Sequence, residues 1–321
     1  MLILLCVTVI VFVVLRALPA DPIGMMTPSG ASDADIRALQ QSLGLDKPLP
    51  IQFVVWLQHA LQGQFGNSIQ SATPVLPMLA TALPVTLQLV VLSLAFGTAA
   101  GVAGAIYAFR RRGRPSEAVA ELANGIAISI PDFLWGILLM LVFGVWLHWL
   151  PFMGQIGSDV EVPRVTGVSL VDCLLAADPA ALGSVLAHLL LPSVALGLSV
   201  APSVMRMLHS SLLETYTEDY IQAARLRGLS ETRVLYRQAI RNAALPTLNL
   251  IGLNAGALMG GTLLIETIFG LPGTGNLLVS AIGTHDLPVI QAISIIYAVA
   301  VQAINASTDT LQIILNPRLR T

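Results

Sequence analysis

Val85-Thr-Leu-Gln-Leu-Val-Val-Leu-Ser-Leu-Ala-Phe-Gly-Thr-Ala-Ala-Gly-Val-Ala-Gly-Ala-Ile-Tyr-Ala108, followed by Phe109 and then Arg110-Arg-Arg-Gly-Arg114, decides the fold class. The run carries no formal charge from Val85 to Ala108. A helix needs about 20 apolar residues to cross the hydrocarbon of a bilayer, so this stretch is long enough. The arginines that follow suit a headgroup surface, because basic residues gather on the cytoplasmic side of membrane proteins.

The rest of the chain repeats this pattern. Of 321 residues, 55% are hydrophobic and 11% charged, whereas a soluble domain carries about 25% charged residues. Such a chain cannot cover a surface that faces water. Further apolar runs extend over Leu2 to Leu18, Ala118 to Leu150, Leu186 to Leu208, Pro246 to Phe269 and Leu287 to Leu315. The first competes with a signal peptide, but no basic region precedes it and more spans follow. Trp146 and Trp149 suit an aromatic belt at headgroup level. The expectation is an all-α membrane protein of six transmembrane helices, a single domain over 1–321, with both termini on one side.

Charge sets the orientation. With the termini inside, twelve Lys and Arg residues fall inside and four outside, namely Arg16, Arg37, Lys47 and Arg164. The termini are therefore expected in the cytoplasm, and the segments 19–83 and 151–185 outside. Within the first, Ser32 to Gly44 reads as a short helix and Gln52 to Gln62 as an amphipathic one.

Catalytic and metal chemistry have little support. Cys6 and Cys173 lack ligand spacing, and His59, His148, His188, His209 and His285 are scattered. No phosphate-binding Gly-x-x-x-x-Gly-Lys-Ser/Thr loop is present, so energy must come from a partner or from an ion gradient. No catalytic residue, metal ligand, cofactor or nucleic-acid partner is assigned to this chain.

The inner segment 209–244 is unusual. Two helical stretches flank Gly228, where glycine permits a tight turn or left-handed cap. Ser230 is a candidate N-cap, and Pro246 is expected to restart the chain at the membrane boundary. Ala223 and Ala224 are small enough for a partner to approach closely. Val234, Leu235 and Ile240 alternate with Arg233, Arg237 and Arg241. Such a basic, partly apolar helix fits a partner's groove or an anionic lipid surface, and these physical features leave both open.

This stretch resembles the EAA loop of permeases from ATP-binding-cassette importers, whose pattern is Glu-Ala-Ala, three residues, Gly and then Ile-x-Leu-Pro. Here Gln222-Ala223-Ala224 precedes Gly228, and Leu245-Pro246 closes the pattern. Gln222 replaces the Glu and Ala243 the Ile. The resemblance covers nearly the whole chain and points to the first-permease subgroup of the dipeptide, oligopeptide and nickel branch. Its other carriers are Leu18-Pro-Ala-Asp-Pro22, Leu43 to Pro48, Gly63-Gln-Phe-Gly-Asn-Ser68, Ser129-Ile-Pro-Asp-Phe133, Glu266 to Gly273 and Asn316 to Arg320. The family shows a basic segment before its first span, whereas this chain opens Met1-Leu2. Either the start lies upstream or the first helix is anchored differently.

The resemblance implies the type I importer permease fold in a bacterial inner membrane. It implies a second homologous permease, two ATPase subunits that hold ATP and Mg, and an external solute-binding protein. It also implies an ATPase-coupling role for Gln222, Ala223, Ala224, Gly228 and Pro246.

Asp132 and Glu266 are candidates for the passage or a gate, because ionisable groups at membrane depth are costly unless they face water or a partner. For Asp132 the alternative is a carboxyl at the start of a helix broken at Pro131. Gly97 and Gly101, and Gly252, Gly256 and Gly260, permit close helix approach, within the chain or between subunits. An ion-driven transporter is the rival class.

Overall fold

The computed structural model describes residues 2–17, 47–157 and 160–315. Among them every regular element is helical, and the β-type pairing is an isolated bridge between Asn67 and Pro74. Helix α1 is Leu2–Ala17, α2 is Leu49–Leu61 and α3 is Val75–Arg110. Helix α4, Pro115–Ser129, precedes α5, Asp132–Leu139, which runs on as a π-helical stretch, Met140–Trp146. Helix α6 is Ser169–Leu175, α7 is Pro179–Thr215 and α8 is Asp219–Leu226. The short α9, Glu231–Arg233, leads through π-helical Val234–Ala239 into α10, Ile240–Ile268. Helices α11, Thr274–Gly283, and α12, Leu287–Leu315, complete the order.

Local chemistry explains several starts. Proline opens α4 and α7, where its missing N–H costs nothing. The Asp178 carboxylate caps α7 by accepting from the N–H groups of Ala180 at 2.9 Å and Ala181 at 3.0 Å.

Four helical stretches are long and apolar enough to cross a membrane: α3, α7, the run from Glu231 to Ile268, and α12. The α4–α5 pair makes a fifth if counted as one, although it bends by 101°. The 36 residues of α3 span about 54 Å at about 1.5 Å per residue. That exceeds a hydrocarbon core of about 30 Å, so the helix projects beyond it.

Contacts give the helix directions. An added Cβ on Gly97 would lie 2.6 Å from the Gly197 carbonyl oxygen, and one on Gly101 2.6 Å from that of Ala201. Numbers rise together along this seam, so α3 and α7 run parallel. Their C-terminal ends meet where the Phe109 and Tyr216 rings pack at 4.5 Å. Helix α10 returns: Ala243 is buried at that arginine-rich end, and Glu266 reaches Thr86 at the opposite end. Helix α12 runs against α10, with Thr308 beside Gly252 and Val301 beside Gly256. The bent pair climbs beside α7 from Glu117 near His209, through Asn124 near the Pro202 carbonyl, to Gly136 near Ala195. Its contacts thus run from the arginine-rich end of α7 to the middle of that helix.

Glycine-rich faces pack within the chain. Apolar side chains gain nothing by leaving lipid for one another, so close backbone approach and dispersion hold such a seam. Gly97, Gly101 and Gly197 supply that approach between α3 and α7, and Gly252 supplies it between α10 and α12. Gly260 faces open space.

Several boundaries differ from the expectations. Helices α3 and α7 begin at Val75 and Pro179, so each takes in part of an expected outer segment. The third run breaks after Ser129, because Pro131 lacks an N–H and holds Ile130 extended, at φ −98° and ψ 122°. Pro246 does not restart the chain, since α10 runs through it from Ile240. The π-helical turn before α10 carries the chain into the bundle, so Pro246 lies inside an established helix. Helix α2 forms as expected and packs Phe53 and Trp56 against Phe12. The Ser32–Gly44 helix and the motifs at 18–22, 43–46 and 316–320 lie outside the described residues.

Candidate functional site

At the arginine-rich end, the segment after α7 folds back onto the bundle. Ile221 and Ala224 from α8, with Val234, Leu235 and Ala239, bury themselves against Ala105, Phe109, Met205, Leu208 and Leu212. These small and branched residues alternate with arginines, so one face packs inward and the other stays wet. An aromatic and cationic stack braces the seam. Arg112 lies over Phe109 at 4.5 Å and over Tyr216 at 5.4 Å, and Arg225 lies over Tyr216 at 5.2 Å. Burial, reinforced by Glu231, pushes the Tyr216 phenol above its ordinary value. The ring is therefore neutral at physiological pH and presents its π face to both cations.

Gly228 forms the tip. Its φ of +75° is the left-handed conformation that glycine adopts without strain. Its N–H donates to the Arg225 carbonyl at 2.8 Å, closing α8. Across the turn, Arg225 donates to Glu231 through Nε at 2.7 Å. Both side chains are exposed, so the pair adds little stability, but it links α8 to α9 across the turn. Asn242 donates to the Tyr220 hydroxyl at 2.7 Å, tying α8 to the start of α10.

The predicted coupling residues fall unequally. Gln222, Gly228 and Pro246 are exposed, and Ala223 is half-buried. Ala224 is 6% exposed and belongs to the chain's own core, as do Val234 and Leu235. Those positions are small or apolar where they pack within the chain. Ser230 makes no side-chain cap. Sequence reasoning missed Leu226, which is 89% exposed beside the tip. Its signal was a large apolar residue between two arginines, immediately before the glycine turn.

At the opposite end lies Glu266, fully buried. One carboxyl oxygen accepts from the Thr86 hydroxyl at 2.7 Å. The other accepts from the N–H groups of Gly275 at 2.7 Å and Asn276 at 3.0 Å. Glu266 thus sits on the N-terminus of α11, where orphan N–H groups and the helix dipole favour a carboxylate. Thr274 extends the network, its N–H donating to Thr86 Oγ1 and its hydroxyl to the Tyr297 oxygen. Gly273 and Gly275 are required here, because a Cβ on either would overlap the Glu266 carboxyl. The network joins α3, α10, α11 and α12 in one place. Thr86 and Tyr297, absent from the predicted set, complete it.

Asp132 opens α5 just past the bend. It is half-buried, and its Oδ1 accepts from the Phe133 N–H at 2.8 Å. Its other oxygen faces α10, 3.1 Å from where a Cβ on Gly261 would stand. Asp132 and Glu266 are not in contact: one sits at a helix break and the other in a closed network. Among the described residues no three His, Cys, Asp or Glu side chains come together as a metal site.

Comparison with known proteins bears on this arrangement. Residues 97–321 match the family described as binding-protein-dependent transport system inner membrane component. Residues 1–90 match the N-terminal model of such membrane components. The di/tripeptide transport system permease protein DppB of Pseudomonas aeruginosa is 34% identical over 98% of this chain and 94% of its own length. The glutathione transport system permease protein GsiC of Salmonella typhimurium is 36% identical over 99% and 94%. Among solved structures, the MetNI methionine ABC transporter in inward facing conformations superposes with a TM-score of 0.57 at 17% identity. That match covers 74% of this chain and 96% of the other.

Proposed function

From the membership of this chain in the family of binding-protein-dependent transport system inner membrane components, we infer that it is a permease subunit of an ATP-driven importer. Its cargo class is small peptides or peptide-like solutes such as glutathione, in keeping with its relatives. The chain forms part of the translocation path in a bacterial cytoplasmic membrane. A second permease completes the path, two ATPase subunits hold ATP and Mg, and an external binding protein delivers cargo. The α4–α5 pair and α1, added to the four long helices, bring the span count to six, with the termini and the arginine-rich end in the cytoplasm.

Coupling would pass through the tip around Gly228. The observation that carries this reading is Leu226 standing exposed beside a left-handed glycine turn, on a platform braced by Tyr216, Arg112 and Arg225. A large apolar side chain held clear of its own core is a suitable anchor for a partner's pocket. Because the platform packs rigidly on α3 and α7, movement of the tip would turn those helices as a body. Gln222 and Ala223 flank the anchor. Asp132, facing α10 at a helix break, is assigned to the passage, and the Glu266 network to an outer gate that holds α11 in place.

Reconstituted transporter tests the reading. Leu226→Glu is expected to abolish the rise in ATPase rate caused by loaded binding protein, and with it peptide uptake, while the subunit folds normally. Unchanged uptake in both Leu226→Glu and Gly228→Trp would remove the tip from coupling. Uptake driven by an ion gradient without the ATPases would replace the importer with a secondary transporter.

A further inference from the structure

Between α3 and the π-helical turn before α10 lies an open groove of about 770 Å³. Its upper wall is apolar, formed by Val102, Ala103 and Ile106 on one face of α3. Its lower rim is cationic, formed by Arg110, Arg111 and Arg114. Tyr107 and Tyr236 stand at the junction, both about half exposed.

These three arginines differ from their neighbour Arg112. Arg112 is exposed as well, but its guanidinium is engaged within the chain, stacked on Phe109 and Tyr216 and donating to the Phe109 carbonyl at 3.1 Å. Arg110, Arg111 and Arg114 are exposed and pair with no carboxylate among the described residues. The adjacent acid, Glu117, is engaged elsewhere: it accepts from the Gly113 N–H at 2.6 Å and lies 3.6 Å from His209. A cluster of three unneutralised guanidinium groups attracts a phosphate, which each can bind through paired N–H donors. A free phosphate would use only this rim. The continuous apolar wall above it calls for an occupant with an anionic head and a hydrocarbon tail, and tyrosines at the junction suit the headgroup level.

We propose that this groove is a binding site for an anionic phospholipid of the leaflet at the arginine-rich end. The headgroup phosphate sits among Arg110, Arg111 and Arg114, and an acyl chain lies along Val102, Ala103 and Ile106. Tyr236 belongs to the coupling segment, so the bound lipid bridges that segment to α3 and braces it. The assignment of this end to a leaflet surface rests on the permease reading. Lipid selectivity is measured without transport, so a failure of ATP-driven uptake would leave the site standing.

The test uses the assembled transporter. Lipid co-purified in mild detergent is quantified by mass spectrometry for the wild type and for the Arg110→Gln, Arg111→Gln, Arg114→Gln triple variant. Enrichment of phosphatidylglycerol or cardiolipin over bulk membrane, falling several-fold in the triple variant and retained in the matching Lys variant, is expected. Equal anionic-lipid content in wild type and triple variant overturns the proposal. A second readout places a fluorophore at Ala103→Cys in a Cys6→Ser background, with brominated phosphatidylglycerol or brominated phosphatidylcholine in the bilayer. Stronger quenching by the anionic lipid is expected. Equal quenching by both shows a wall that meets bulk lipid only, and no quenching shows that a protein chain covers the groove. Either result overturns the proposal.

Discussion

Ser68 and Asp286 stand 218 positions apart, yet the Ser68 hydroxyl donates to the Asp286 carboxylate in a buried contact. The N–H of Ile69 donates to the same carboxyl at 3.1 Å. Asp286 lies immediately before α12, and its carbonyl accepts the Ile290 N–H at 3.0 Å. One acid thus fastens the turn at 66–74 to the start of the last span. Removing it leaves buried donors unpaired, at a cost of about 1–3 kcal/mol. Asp286→Ala should expose the 66–74 turn to protease cleavage and lower the melting temperature of the purified subunit. Ser68→Ala, which spares the backbone donors, should do so less. Equal resistance of wild type and Asp286→Ala to limited proteolysis would show that the turn is held by other contacts.

The α3–α7 seam makes a second prediction. A Cβ on Gly101 would stand 2.6 Å from a carbonyl oxygen and 2.7 Å from the Val204 Cβ. Backbone cannot yield as a flexible side chain can, so Gly101→Leu should cost at least the about 1–3 kcal/mol of ordinary overpacking. Gly260→Ala meets nothing within 4 Å and should be tolerated. Monodisperse yield and thermal unfolding in detergent compare the two. Equal stability of both variants would contradict the seam.

The Glu266 network separates hydrogen bonding from charge. Glu266→Gln can keep its carbonyl oxygen toward the N–H groups of Gly275 and Asn276. Its amide then donates to Thr86, whose hydroxyl turns to the Thr274 oxygen 2.8 Å away. That variant should fold and transport at a reduced rate. Glu266→Ala leaves the N–H groups of Gly275 and Asn276 without an acceptor and should fall in yield and stability by about 1–3 kcal/mol or more. A stable but inactive Glu266→Ala would instead assign the residue to gating alone.

Asp172 gives a pH dependence outside the spans. Burial works to raise its carboxyl value. Hydrogen bonds from the Thr166 hydroxyl and from the Thr166 and Gly167 N–H groups outweigh burial, and the net shift is below the ordinary 3.8. A folded-state value below the unfolded one means the contribution is present in full above 3.8 and is lost as pH falls through the folded-state value. Melting temperatures of wild type and Asp172→Asn should therefore differ at neutral pH and converge below that value. A constant difference down to strongly acidic pH would refute the linkage.

Much of this architecture was legible in the residues. Apolar runs of membrane length set the class, because burying backbone in lipid leaves few alternatives to helices. Gly228 announced the left-handed turn that the structure contains. Gly97 and Gly101 announced a close seam, without saying whether its partner lay in the same chain. Ala224 read as a surface for a partner and proved to be core, because helical spacing alone does not say which side faces the bundle. Pro131 already marked a candidate helix break in the third run, and the structure added the size of the bend, 101°.

The sequence by itself determined that the chain is a bundle of membrane helices with one arginine-rich end, since hydropathy and charge act locally and leave periodic marks. The tertiary structure decided which residues meet: Thr86 with Glu266, Ser68 with Asp286, Phe109 with Tyr216. Such pairs join positions up to 218 apart. A buried polar group needs a partner, but its own neighbourhood in the chain does not say where that partner comes from.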